Sequence, residues 1–453
     1  MKKKTKDSKL PIIIKWLIII LIILVGIMGI YVKKLNKFVN IIPDYNYGMD
    51  IVGNRQFFMT VDKTEQEKTV YIDEKGNIAG EVIDENISVN GYNIEKLSLN
   101  ANKQENLTIE NYELTKEIME KRLKKSNVNE YNLKLDRQTG NMILEIVENN
   151  DTNTNYSLIS TEGKFEIIDA QTGIVLMDNN DIKLAAPVTN PDATGVNAIY
   201  LQLELTDDGT RKINEISKKY IEYKQDGEEE SKIDYITIRL DDQTIYTTYF
   251  SEEWTSNFFH IPVSEPGANE QELKQSYSGA YNVANIINSG KLPIKYTLES
   301  DEFIKSAITQ KDVQVFKYIV LAILVLITII FFIKFKLDGL KYGILNIGFV
   351  SLYSIILRYL KVEITLPGVI SIIAIILINL LFYYNLLNKK IKNKDEIKQY
   401  FYKFSILMLP VIIMAIVFTL SKNINTLSIG MTTFWGFITA GIYNWIFVKN
   451  NSI

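Results

Sequence analysis

The chain has 453 residues, a formal net charge of −3 and a mean hydropathy of +0.02, averages that are typical of an ordinary globular protein. It has no cysteine, which excludes disulfides, thiolate metal sites and a cysteine nucleophile. A single histidine leaves little imidazole chemistry, and the 47% apolar content excludes an intrinsically disordered chain.

The apolar residues are concentrated in a few segments. Crossing a membrane takes roughly 17–25 predominantly apolar residues. We predict six spans, at residues 16–32, 318–333, 342–357, 364–388, 404–421 and 423–448. We expect the first span to stay as an anchor, because its apolar core is longer than the roughly 7–15 residues of a signal peptide and no A-x-A-like site follows it.

The distribution of charge predicts the orientation. Outside residues 36–315 there are 22 basic and 5 acidic residues, a net of +17; inside them there are 28 basic and 48 acidic residues, a net of −20. Basic loops at residues 334–341 and 389–403 share one side with the basic N-terminus, and such loops favour the cytoplasm. The sequence therefore predicts a multi-pass protein of the bacterial cell membrane with both termini in the cytoplasm.

This pattern divides the chain into four parts. They are a cytoplasmic N-terminus at residues 1–10, span 1 at residues 11–34, an extracytoplasmic domain at residues 35–315, and spans 2–6 with a cytoplasmic C-terminus at residues 316–453. Within the outer domain, residues 63–113 are rich in Asn, Glu and Gly and are predicted to be an insertion or a mobile loop.

The outer domain is predicted to be α+β. Alternating apolar residues predict strands at residues 57–61, 131–135, 142–147, 164–168, 199–205, 235–240, 245–250 and 294–298. Helices are expected at residues 115–126 with Thr115 as N-cap, after Asp207, and at residues 279–288 up to Gly290. The order is close to two ferredoxin-like (split βαβ) units. The predicted fold class is thus an α-helical membrane bundle of six spans plus this domain.

A glycine-bounded turn, Gly48 to Arg55, leads into the first strand of the outer domain. It resembles the GLDLxGG signature that follows the first span in the SecD family of protein-export membrane subunits, which places Gly48, Asp50 and Gly53 in the motif. Further stretches resemble that family in the same order over nearly the whole chain. They are residues 115–147, 175–184, 199–216, 235–250, 280–293 with Gly290 and Pro293, and 365–368 with Leu366, Pro367 and Gly368.

The resemblance implies a role in protein export. It implies an outer domain that holds unfolded secreted polypeptide, a SecF-like partner, and work at a SecYEG-type translocon. It also implies that spans similar to those of resistance-nodulation-division transporters couple export to the proton motive force. No other cofactor is expected.

The chain departs from the family in its spans. Counted from Pro367, the family's Asp and Asn of the fourth span fall at Leu381 and Tyr383, and the Asp of the fifth span falls near Leu409. These proton-relay positions are lost, and no Asp, Glu or His lies well inside a predicted span. Either a partner carries the proton chemistry or the protein works without the gradient. Asn379, Asn385, Tyr383 and Tyr384 can only hydrogen-bond across helices.

Other functions receive less support. The sequence has no Walker loop, GxSxG or HExxH motif, so we expect no enzyme, no metal site and no catalytic residue. Nothing indicates nucleic acid, since the basic residues are those that membrane orientation requires. Two alternatives remain open: a half-transporter of the resistance-nodulation-division type for a small amphiphile or lipid, and a non-transporting membrane scaffold.

Overall fold

The computed structural model describes residues 10–27, 30–32, 37–39, 42–128, 130–191, 195–221, 234–265, 267–306, 308, 310–391, 393–421 and 423–448. The predicted N-terminal segment 1–10 lies outside these residues except for its last member. The chain divides into two compact units: the helical unit, Met1–Asn54 with Phe303–Ile453, and the sheet unit, Arg55–Glu302. The predicted outer domain at residues 35–315 is therefore longer at both ends than the sheet unit.

The described residues form helices and strands in the following order. The helices are α1 (Leu10–Ile27), α2 (Met49–Val52), α3 (Ile109–Lys125), α4 (Thr152–Ser160), α5 (Asp207–Lys219), α6 (Glu270–Ser289), α7 (Gln310–Tyr359), α8 (Leu366–Asn388), α9 (Lys394–Phe418) and α10 (Ile424–Phe447). The strands are β1 (Ile30–Val32), β2 (Lys37–Val39), β3 (Asn46–Tyr47), β4 (Asn54–Val61), β5 (Glu65–Asp73), β6 (Ile78–Glu81), β7 (Tyr92–Asn100), β8 (Tyr131–Leu135), β9 (Met142–Val147), β10 (Phe165–Asp169), β11 (Val175–Asp178), β12 (Ile182–Pro191), β13 (Asn197–Leu205), β14 (Ile236–Leu240), β15 (Gln243–Thr248), β16 (Phe258–Pro262), β17 (Tyr296–Ile304) and β18 (Glu363–Ile364).

Helices cover the apolar segments of the helical unit. Among the described residues, three stretches are long and apolar enough to cross a membrane by length and composition: Val315–Tyr359, Leu366–Asn388 and Asp395–Phe418. These apolar helices indicate a membrane protein. The first described apolar stretch, Ile13–Gly26, is shorter. Helix α1 ends at Ile27, and the strand β1 follows it within the range that the sequence assigns to span 1.

Helix α7 reverses direction at Lys336. This residue has φ 56° and ψ −139°, which no helix contains. A Cβ on Gly339 would collide with the backbone of Phe331, and one on Gly343 would collide with Thr328, so the two halves of α7 pack against each other at close range. The sequence places a basic loop at this reversal, and the structure confines the turn to very few residues.

The first sheet of the sheet unit has the strand order β17-β4-β9-β8. If β4, β8, β9 and β17 are numbered 1 to 4 in chain order, they lie across the sheet in the order 4-1-3-2. Helices α3 and α4 and the segment before β17 cover this sheet through one apolar core, in which Met119, Leu123, Leu144 and Ile294 are fully buried. The alternating buried positions of β4 and β9 confirm the period of two in the sequence.

The strands of the second predicted unit do not form one sheet. The strands predicted at residues 164–168, 235–240 and 245–250 lie in the sheet β11-β10-β14-β15, and the strand predicted at residues 199–205 lies in the sheet β12-β13-β16. The strand predicted at residues 294–298 overlaps β17, which belongs to the first sheet. The reason is the β12–β13 hairpin, which pairs antiparallel from Ile182↔Leu205 to Pro191↔Asn197 and so joins β13 to β12 rather than to β10. Sequence periodicity identified β13 correctly but carries no information on its neighbour.

Residues 63–113 contain a sheet of their own. Strands β5, β6 and β7 form an antiparallel sheet in the order β6-β5-β7, and β5 and β7 pair over nine positions from Glu65↔Asn100 to Asp73↔Tyr92. The segment that the sequence predicts to be an insertion or a mobile loop therefore contains regular structure.

The predicted N-cap Thr115 is wrong. Helix α3 begins at Ile109 and is capped by Thr108, whose side chain accepts from the backbone N–H of Asn111. Thr115 is fully buried inside the helix, where its hydroxyl donates to the carbonyl of Asn111 at 2.7 Å. Both threonines precede apolar periodic residues, and only the tertiary packing of the extra turns decides between them.

Candidate functional site

The two short motifs of the helical unit meet at one place, which we call the motif junction: Gly48 to Gly53 and Glu363 to Gly368. Strands β3 and β18 pair in parallel, with Tyr47 opposite Ile364. The backbone N–H of Gly48 donates to the carbonyl of Ile364 at 3.0 Å. Two stretches more than 300 residues apart in the sequence are thereby joined.

Asp50 connects the junction to the start of α8. Its Oδ2 accepts the backbone N–H of Leu366 at 2.7 Å, an N–H that the helix itself leaves without a partner. Its Oδ1 is buried without a hydrogen-bond partner. Burial raises the pKa of this carboxyl, and the bond from Leu366 opposes that rise.

The N-terminus of α8 is held from a second side. Thr365 caps the helix by accepting from the N–H of Gly368, and its own N–H donates to the hydroxyl of Ser428 on α10 at 3.1 Å. That hydroxyl donates to the carbonyl of Glu363 at 2.7 Å. Pro367 lies in the first turn, where its missing N–H costs no hydrogen bond.

At two positions of the motif junction, the local geometry explains why the residue is glycine. Gly53 has φ 90°, and a Cβ there would approach the carbonyl of Ile304 to 2.7 Å. A Cβ on Gly368 would collide with the Oγ of Ser428. The six motif residues predicted here, Gly48, Asp50, Gly53, Leu366, Pro367 and Gly368, therefore form one structural cluster. The sequence named each of them but did not predict that the two motifs meet.

The remaining motif residues lie in the sheet unit. Gly290 ends α6 with φ 99°, as the sequence predicts, and Pro293 is half-buried just before β17. The carbonyl of Gly290 accepts from Nη2 of Arg122 at 2.8 Å.

Arg122 is a functional candidate that the motif analysis did not single out. It is completely buried, and its guanidinium donates to four backbone carbonyls: those of Leu158, Thr161, Glu162 and Gly290. Its own carbonyl accepts from Asn285 of α6 at 2.9 Å. Burial lowers the pKa of Arg122 to about 10. This arginine joins α3, the end of α4 and the end of α6.

The interior of the helical unit contains a chain of neutral polar groups, which we call the amide chain. Asn379 on α8 donates to Asn346 on α7 at 3.0 Å and accepts from Asn444 on α10 at 2.8 Å. Tyr383 donates to Asn444 at 2.6 Å. All four side chains are buried. The ability of Asn379 and Tyr383 to bond across helices, expected from the sequence, is realised here.

The three lost relay positions have different environments. Leu381 and Leu409 are 53% and 51% exposed on the surface of the helical unit, whereas Tyr383 is fully buried in the amide chain. Near Leu381 on α8, the buried side chains are those of Asn379, Phe382 and Tyr383. Counting positions from Pro367 does not show which side chains face the interior, because side chains two positions apart on a helix point in directions about 200° apart.

A cavity of about 410 Å³ opens in the helical unit between α1, both halves of α7, α8 and the chain next to β3. One end carries Asp44, Tyr45, Lys317 and Arg358, and the other end is lined by apolar side chains such as Leu324 and Ile376. No sequence motif pointed to it, since its lining residues come from five separate stretches.

Comparison with known proteins supports the fold. A crystal structure of SecDF in a super-membrane-facing form matches with a TM-score of 0.54 and 15% identity, covering 96% of this chain and 56% of that chain. SecDF from Thermus thermophilus, described as a translocon-associated membrane protein, matches with a TM-score of 0.42 and 14% identity, over 98% of this chain and 58% of that one. A heavy metal efflux pump matches with a TM-score of 0.30 and 10% identity, over 96% and 47%.

The match at a TM-score of 0.54 shows that the chain has a SecDF-like fold. The chain spans a little over half the length of the two SecDF chains named above. No family model matches the sequence. No curated protein matches it either.

Proposed function

We propose that this protein is a SecD-like subunit of a bacterial protein-export machinery. In this proposal six spans anchor it in the cell membrane, both termini are cytoplasmic, and residues 35–315 lie outside. The observation that carries the proposal is the SecDF-like fold over 96% of the chain. The motif junction adds to it, because residues that resemble two separate family signatures converge on one helix terminus.

The proposal includes a partner. We propose a SecF-like subunit as that partner, as the resemblance of the chain to the SecD family implies. The pair would work at a SecYEG-type translocon, where the outer domain holds unfolded secreted polypeptide during late translocation and release. We propose that the sheet β17-β4-β9-β8 with α3 and α4 is a ferredoxin-like unit and forms the first half of this handling domain; its strand order supports this.

The proposal also assigns the proton chemistry to the partner. The amide chain consists of groups that do not ionise near neutral pH, and Leu381 and Leu409 carry no charge. A subunit built in this way can move with a proton-driven partner but does not itself bind the proton within its spans.

Pulse-chase labelling of secreted proteins tests the proposal. Deletion of this chain is expected to slow release under cold or high secretory load, and the tagged chain is expected to co-purify in mild detergent with a SecF-like or channel subunit. Unchanged export under load would contradict the proposal.

The same deletion strain separates the alternatives. Sensitivity to small amphiphiles with normal export would support a half-transporter of the resistance-nodulation-division type. Normal export with normal resistance would support a non-transporting scaffold.

A further inference from the structure

The cavity of the helical unit has two ends of opposite character. At the polar end, Lys317 on α7 lies over the rings of Tyr45 and Tyr47, with its Nζ 4.6 Å and 5.7 Å from their centroids. The guanidinium of Arg358 lies 5.3 Å from the ring of Tyr45. The opposite end, at Leu324, Ile347 and Ile376, is apolar. A ligand that fits both ends is an amphiphile.

The charge at the polar end is positive and not balanced by ion pairs. Arg358 is only 5% exposed, and it donates to the carbonyls of Pro43 and Ile42 at 2.7 Å and 3.0 Å. In the described part of the chain, no carboxylate lies within 4.0 Å of the side-chain nitrogens of Lys317 or Arg358. Asp44 is the acid that lines this end, and its side chain is exposed. Asp44 attracts Lys317 through space but forms no ion pair with it, so the buried guanidinium of Arg358 still favours an anionic ligand.

The length of the cavity matches one leaflet. Arg358 at the polar end and Ile347 at the apolar end are eleven residues apart on the same helix, which corresponds to about 16 Å. Half of the hydrocarbon core of a bilayer is about 15 Å. An acyl chain that enters beside the headgroup site therefore has room along the apolar wall.

We propose that this cavity binds an anionic glycerophospholipid of the membrane. Its phosphate lies between Lys317 and Arg358, beside the ring of Tyr45, and one acyl chain lies against Leu324 and Ile376. This site is independent of the export function proposed above, because it needs only the helical unit in a bilayer.

Lipid retention by the full-length protein tests the proposal. The purified protein in mild detergent receives equal amounts of phosphatidylglycerol and phosphatidylcholine with identical acyl chains, and native mass spectrometry counts the bound lipid. We expect phosphatidylglycerol to be preferred. Lys317→Gln is expected to weaken its retention about fivefold. Equal retention of the two lipids by the native protein would overturn the proposal.

A matched lysine provides the control. Lys389 is also exposed, and its Nζ lies 5.2 Å from the centroid of the Tyr400 ring, away from the cavity lining. Lys389→Gln is expected to leave retention unchanged. If Lys389→Gln weakened retention as much as Lys317→Gln does, general surface charge would explain the preference and the proposal would fail.

The acyl wall is tested separately. Ile376→Trp fills the apolar end and is expected to lower phosphatidylglycerol retention at least fivefold, whereas Leu377→Trp, on the exposed side of α8, is expected to have no effect. Two further ligands show whether the phosphate group alone or the acyl chains alone account for binding. Displacement of the lipid by inorganic phosphate at constant ionic strength, or equal binding of uncharged diacylglycerol, would overturn the proposal.

Discussion

The two units of this protein stabilise buried polar groups in different ways. The sheet unit buries a cation, Arg122, and surrounds it with four backbone carbonyls at the ends of its helices. In the helical unit the buried groups that join one helix to another are neutral amides, and Asn379 bonds to Asn346 and Asn444. Its buried arginine, Arg358, lies near the end of α7 and donates to backbone carbonyls outside the helices. In a helix bundle that crosses a membrane, an amide can find a partner on a neighbouring helix at far lower cost than a charge can. The comparison explains why the groups that join the helices around Asn379 are neutral amides.

The largest effect is expected at Arg122. Arg122→Met removes donors to four carbonyls at once and leaves those carbonyls buried, so we expect it to lower the free energy of unfolding of the sheet unit by roughly 3 kcal/mol or more. Denaturant unfolding of the purified protein, monitored by proteolysis of the sheet unit, measures this loss of stability. Arg137→Met is the control, because Arg137 is exposed and forms a surface ion pair with Glu113. Equal stability of the two variants would show that the buried arginine is not the key link.

A smaller effect is expected in the amide chain. Asn379→Leu breaks the bonds to Asn346 and Asn444 and should lower the free energy of unfolding of the helical unit by about 1–2 kcal/mol. Thermal unfolding in detergent, followed by helical circular dichroism, measures it. Asn388→Leu on the same helix is exposed and should be neutral. A neutral Asn379→Leu would mean that simple apolar packing replaces the network without loss.

At the motif junction, the expected loss is about 1 kcal/mol. Asp50→Ala removes the acceptor for the N–H of Leu366, as in the loss of a helix cap. Asp50→Asn keeps an acceptor oxygen and should restore most of the stability near neutral pH. The same unfolding measurement applies, and a fully stable Asp50→Ala would exclude the cap-like role.

Asp50 also predicts a pH dependence of known sign. Because its pKa is raised above 3.8, the folded chain keeps the proton at pH values where the unfolded chain has lost it. The contribution of Asp50 to stability therefore falls as the pH rises from about 4 through the raised pKa, and Asp50→Asn should lack this fall. Asp73 is a control with a pKa shift of opposite sign, because hydrogen bonds from the backbone and the side chain of Asn77 lower the pKa of its carboxyl. The same slope in native protein and Asp50→Asn would disprove the assignment.

The smallest effects are expected at Leu381 and Leu409. Both side chains are about half exposed on the helical unit, so Leu381→Ala and Leu409→Ala should change the free energy of unfolding in detergent by less than about 0.5 kcal/mol. Tyr383→Phe, which loses the bond to Asn444, should cost more than either. If Leu381→Ala lowered the free energy of unfolding more than Tyr383→Phe does, Leu381 would have to lie inside the bundle.

Local patterns determined much of this protein from the sequence. Alternating residues located strands such as Tyr131–Leu135 and Met142–Val147 to the residue, and the apolar runs located the helices of the helical unit. The glycine at position 290 predicted the end of α6 because few other residues accept its backbone geometry. These features depend on neighbours in the chain, which a sequence shows directly.

Tertiary structure decided which of these pieces meet. The contact of Asp50 with Leu366, the four carbonyls around Arg122 and the amide chain through Asn379 each join residues that are far apart in the sequence. The same is true of the division of β13 and β14 between two sheets and of the cavity at Lys317 and Arg358. A period in the sequence fixes which face of an element is apolar, but it does not name the partner of that face, because any apolar face of matching size can cover it. The partners follow only from the packing of the whole chain.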